Sequence, residues 1–105
     1  MVLALMLLSA CAVTHTPTMY RVALLAPFEG RYREIGYNAL YAARMAFDNE
    51  GGDSPNWLEL MPIDDGGSVE TAILRARALT YDPQVIGALV LGYQAADPQV
   101  QAAFG

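Results

Sequence analysis

The chain has 105 residues, 54% of them hydrophobic and 16% charged, with a formal net charge of -5. That is enough for one small domain or part of a larger one, and it is too apolar for a disordered segment. There is no lysine, and six arginines face eleven acids, so the basic patch that nucleic-acid binding requires is missing.

The one cysteine, Cys11, allows neither an intrachain disulfide nor a cysteine-based metal site, and the single histidine, His15, sits in a polar linker. No cofactor is expected. Met1 to Val13 reads MVLALMLLSACAV. The apolar run Val2 to Leu8 has the form of a signal-peptide core and is too short to span a bilayer, which takes ~20 residues. A positive segment before it is missing, which allows a true start upstream of Met1. Leu8-Ser9-Ala10-Cys11 resembles the bacterial lipobox, in which small residues admit the peptidase and the thiol takes the diacylglycerol. The plainer alternatives are an ordinary signal peptide or a short buried helix with Cys11 as a small apolar residue. The expected organisation is a leader over residues 1–11 ending at the acylated cysteine and a tether over 12–19, rich in threonine and proline. The folded part then covers 20–105.

Tyr20 to Ala26 is the first expected strand. Its run Val22-Ala23-Leu24-Leu25-Ala26 is apolar without alternation, as in a parallel strand covered on both faces. Pro27 ends it, and a loop of Phe28, Glu29, Gly30, Arg31, Tyr32 and Arg33 follows. A helix is expected from about Glu34 to Asn49, with Ile35, Ala39, Ala42, Ala43 and Ala46 facing inward and Leu40 and Phe47 widening the stripe. Gly51-Gly52 supplies its stop, and Asp53 to Asn56 a turn. Trp57 to Ile63 is the second strand, with Pro62 marking an edge or a bend. Asp64-Asp65-Gly66-Gly67 is a loop, Ser68 an N-cap, and a second helix runs to about Tyr81. Its inward residues are Val69, Ala72, Ile73, Ala76 and Leu79, while Arg75 and Arg77 face solvent. Val85 to Leu91 is a third, continuously apolar strand. Gly92-Tyr93-Gln94 opens a loop, and Asp97 to Phe104 starts a third helix.

This β-α-β-α-β order with short, right-handed connections predicts an α/β fold. It is a Rossmann-like parallel sheet of order 2-1-3 with helices on both faces. Ligands in such sheets sit at the carboxyl ends of the strands. The usual enzyme signatures are missing: no G-x-G-x-x-G, no phosphate loop with its lysine, no G-x-S-x-G, and no histidine within the folded part. Asp64-Asp65 is the most enzyme-like pair, as a carboxylate site for Mg²⁺, but acids beside Gly-Gly more often cap a turn and the next helix. Glu29, Arg31 and Arg33 have the charges to hold a charged or zwitterionic ligand, and equally suit a solvated loop. Tyr32 and Tyr93, at or just past strand carboxyl ends, either line a pocket or cover the sheet end.

Taken together, the chain resembles the type I periplasmic binding proteins of the leucine/isoleucine/valine-binding branch. Four stretches carry this in register: Val22 to Pro27 with Gly30 and Gly36; Ala42 to Asn49 followed by Gly51-Gly52; Asp64-Asp65 with Ala72; and Val85 to Gly92. The resemblance covers about Tyr20 to Gly92. It implies part of lobe one of a two-lobed, lipid-anchored, extracytoplasmic protein that closes on a small polar ligand and delivers it to an ABC permease. It also implies that the chain is not an enzyme. By position it adds Ile35 and the loop Tyr93-Gln94-Ala95-Ala96-Asp97 to the ligand contacts, for a candidate set of Phe28, Glu29, Tyr32, Arg33, Ile35, Asp65, Tyr93 and Gln94. That loop has no serine or threonine for a ligand carboxylate, which points away from a branched-chain amino acid and toward another amino acid, an amide or a similar solute. A same-fold lipoprotein that regulates a cell-envelope enzyme by protein binding is the alternative.

Overall fold

The computed structural model describes residues 18–49 and 57–105, so the lipobox at Cys11, most of the tether, and the turn around Gly51 to Asn56 lie outside the described residues. The elements are β1 (Tyr20–Ala26), a 3-10 turn (Gly30–Tyr32), α1 (Arg33–Asn49), β2 (Leu58–Asp64), α2 (Val69–Tyr81), β3 (Val85–Val90) and α3 (Pro98–Ala103). The three strands form one parallel sheet in the order β2-β1-β3, the predicted Rossmann-like arrangement.

The central strand explains the packing. Ala23, Leu24, Leu25 and Ala26 are wholly buried, because successive side chains enter opposite faces and both faces are covered. Leu25 stands in register with Ile63 on one side and Val90 on the other. Those three pack under Ala72, Ala76 and Val100 of α2 and α3. Leu24 and Ala26 face the other way and pack with Leu40 of α1, Leu60 and Phe28. Each buried leucine contributes about 1.5–3 kcal/mol of transfer free energy. Ser68 caps α2 through its Oγ, which accepts from the Thr71 N–H at 3.2 Å. Asp97 caps α3 by accepting from the Gln99 N–H at 2.8 Å. Pro62 lies on the outer strand β2, where its missing N–H costs no ladder bond to the rest of the sheet.

Three details depart from the sequence reading. The loop after β1 is not open throughout: Gly30 to Tyr32 forms a 3-10 turn that runs straight into α1 at Arg33. The buried stripe of α1 is Gly36, Leu40 and Ala43, with Ala39 and Phe47 partly covered, whereas Ile35, Ala42 and Ala46 are exposed. Alanines at helical spacing fit two neighbouring stripes equally well. Gly36 selects between them, because a Cβ there would stand 2.0 Å from the Pro27 carbonyl oxygen, so α1 must turn its hydrogen-only position toward the end of β1. Lastly, β3 is not buried on both faces: Ile86 is 56% and Leu89 46% exposed. It lies at the sheet edge, and its pairing with β1 skips Ile86 between Arg21↔Val85 and Val22↔Gly87. The β2 edge carries Pro62 and Glu59, which discourage further pairing, while β3 has neither charge nor proline.

Candidate functional site

Parallel strands bring all three strand-to-helix loops to one end of the sheet. Asp64, the last residue of β2, ties two of them together. Its Oδ1 accepts from the N–H groups of Phe28 at 2.7 Å and Glu29 at 3.3 Å, and its Oδ2 accepts from the Gly66 N–H at 3.0 Å. The bend after it needs the left-handed region at Gly66 and Gly67, with φ of 79° and 74°. The third loop is joined to the second by the Gln94 side-chain amide, whose Nε2 donates to the Gly67 carbonyl at 3.2 Å.

Asp65 is different from its neighbour. It is 1% exposed, and its Oδ1 accepts from the Gly67 N–H at 2.9 Å. Its Oδ2 has no hydrogen-bond partner among the described residues. Loss of water raises its pKa above the ordinary 3.8, the Gly67 N–H opposes this, and the charge of Asp64 adds to the rise. A carboxyl whose pKa is raised on folding binds its proton more tightly in the native state, so it favours folding at low pH. That contribution is lost as pH rises from 3.8 through the folded value. Asp65→Asn keeps an acceptor for Gly67 and cannot ionise. It is expected to be more stable than wild type at pH 7, with the difference shrinking toward pH 4, by urea denaturation at the two pH values. A loss of stability at pH 7 would show instead that the charge is held favourably.

Between these loops lies a cleft of ≈ 240 Å³. Pro27 and Glu29 to Tyr32 form one wall, Asp65 and Gly67 the next, and Tyr93 and Gln94 the third. The rings of Tyr32 and Tyr93 lie 4.7 Å apart, tilted at 51°, and the Arg31 guanidinium sits 5.7 Å from the Tyr32 ring centre. Gly92 lets the third loop lie against Pro27: its φ is 109°, and a Cβ on it would stand 2.8 Å from Pro27 Cδ. A larger hollow of ≈ 430 Å³ between α2 and α3 is lined mainly by Ile73, Arg77, Thr80, Tyr81 and Gln99. No strand-end loop reaches it and Arg77 is its only charge, so the smaller cleft is the candidate site.

The cleft brings together five of the eight sequence candidates, Glu29, Tyr32, Asp65, Tyr93 and Gln94. The other three lie elsewhere. Phe28 packs into the Leu24 cluster and meets Tyr37 edge-on at 5.6 Å between ring centres. Arg33 begins α1 and is not part of the cleft wall. Ile35 lines a separate, shallow hollow with Gly92, Tyr93 and Ala96. Arg31 belongs to the wall although the candidate set omits it; its charge in the loop after β1, shared with Glu29 and Arg33, is the sequence signal for that. Among the described residues no cluster of three metal-ligating side chains occurs, and no helix is long and apolar enough to cross a membrane.

Comparison of the chain with protein-family models, curated proteins and solved structures gives no match. The fold and the residues of the cleft therefore carry the functional reading.

Proposed function

We propose that the chain forms part of the first lobe of a type I periplasmic binding protein, the extracytoplasmic solute-binding component of an ABC importer, anchored through an acylated Cys11. The observation that carries this is the cleft at the carboxyl ends of a 2-1-3 parallel sheet, walled by paired tyrosines, an amide, a guanidinium and two carboxylates. These are groups that hold a small polar solute in a fixed orientation. The cleft is one wall rather than an enclosure. A small ligand in a mature site has ~70–90% of its surface buried, so a second lobe is required to close over it. The exposed apolar side chains Ile86 and Leu89 on β3, and Leu91 just past it, fit the same reading, since a complete lobe has more sheet and helix to lay against them.

The test is calorimetry of the 105-residue chain and of the two-lobed protein against a panel of amino acids, amides and short peptides. Micromolar binding is expected from the two-lobed protein alone, because one wall forgoes several kcal/mol of contacts at ~1.4 kcal/mol per tenfold in affinity. Equally tight binding by the 105-residue chain would refute the two-lobe arrangement, and no binding by either would refute solute capture.

A further inference from the structure

We propose that the solute held in this cleft presents a primary ammonium group to Asp65. The inference rests on the solute-binding reading and adds the chemical class of the ligand. Of the polar side chains that line the cleft only Asp65 is buried, at 1% exposed, and one of its two carboxylate oxygens has no hydrogen-bond partner among the described residues. A buried acceptor without a donor is a costly arrangement, and a ligand N–H that reaches it recovers that cost on binding. Three donors around it are engaged elsewhere: the Gly66 N–H with Asp64, the Gly67 N–H with Asp65 Oδ1, and the Gln94 side-chain amide with the Gly67 carbonyl.

The surroundings favour a cation over a neutral donor. The cleft holds the carboxylates of Glu29 and Asp65 against the single guanidinium of Arg31, and Asp64 adds its charge behind Asp65. The Tyr32 and Tyr93 rings offer π faces, which attract an ammonium and pack its alkyl chain. Gly30 and Gly67 line the cleft where a Cβ would meet only open space. A trimethylated ammonium has no N–H to give and would not satisfy Oδ2.

The probe is n-butylammonium chloride, with sodium butyrate, n-butanol and butyltrimethylammonium as comparators. Each is titrated into the full chain while the Gly67 and Tyr93 amide resonances are followed by NMR. Saturable shifts are expected with butylammonium at millimolar concentration, and at least tenfold weaker binding with the other three. Asp65→Asn, which retains the bond to Gly67, is expected to weaken butylammonium binding at least tenfold while keeping a native spectrum. Should that variant fail to fold, Glu29→Gln and Tyr93→Ala at the cleft mouth serve instead, each with an expected three- to tenfold loss. Butylammonium binding that none of these substitutions changes, equal binding of butyrate, or no saturable shift at all overturns the ammonium assignment. Solute capture itself is judged apart, since a non-amine solute bound tightly by the two-lobed protein leaves that reading standing without this one.

Discussion

Gly36→Ala is expected to abolish cooperative folding or to lower stability by about 3 kcal/mol or more. On propensity alone the change would help, because alanine in a helix interior is favoured over glycine by ~1 kcal/mol. The close approach reverses that sign. A Cβ at residue 36 would lie 2.0 Å from Pro27 O, 2.8 Å from Pro27 C and 3.1 Å from Phe28 Cδ1. Two of those atoms are backbone at the end of the central strand, where relief means moving α1 away from Leu24, Ala26 and the loop that frames the cleft. A loss of 3 kcal/mol is a large share of a typical total of ~5–15 kcal/mol. Gly87→Ala is the control: a Cβ on that β3 residue meets open space, so it should stay within about 0.5 kcal/mol of wild type. Urea unfolding followed by circular dichroism measures both. A Gly36→Ala protein as stable as wild type would show that α1 does not approach Pro27 this closely.

Asp64→Ala is expected to cost about 3 kcal/mol and to loosen the cleft. The substitution strips the acceptor from three backbone N–H groups, those of Phe28, Glu29 and Gly66. Bonds to a charged acceptor contribute about 1.5–3 kcal/mol each where desolvated, and less for the exposed pair. The Phe28 bond, at 2.7 Å and partly buried, carries the largest share. Asp64→Asn should fall between, since its amide oxygen still serves Phe28 and Glu29 while its NH₂ group opposes the Gly66 N–H. Amide hydrogen exchange gives the local readout: protection at Phe28 and Gly66 should drop more than protection in α2. Unchanged protection at both would assign the loop geometry to the glycine conformations instead. The two adjacent aspartates thus separate by outcome, with loss of Asp64 destabilising and neutralisation of Asp65 stabilising at pH 7.

The site was only partly legible in sequence. Glu29, Tyr32, Asp65 and Tyr93 were legible as cleft residues because strand ends in a parallel sheet define where loops converge, while Gln94 entered only through the family resemblance. Phe28 was misplaced because a loop aromatic after a strand has two directions open to it, and α1 with Tyr37 offered the apolar one. The different tasks of Asp64 and Asp65 were not legible, since nothing in an Asp-Asp pair says which carboxylate will be reached by three N–H groups and which will be buried with one.

Apolar periodicity and turn chemistry by themselves determined the element order, the parallel sheet of order 2-1-3 and the cap at Ser68. Each follows from local spacing and from the right-handedness of crossovers. Only the tertiary structure decided the rotation of α1, the exposed face of β3 and the unsatisfied oxygen of Asp65. Those depend on which backbone approaches which, how far each neighbouring element extends, and which donors remain once loops distant in sequence have paired.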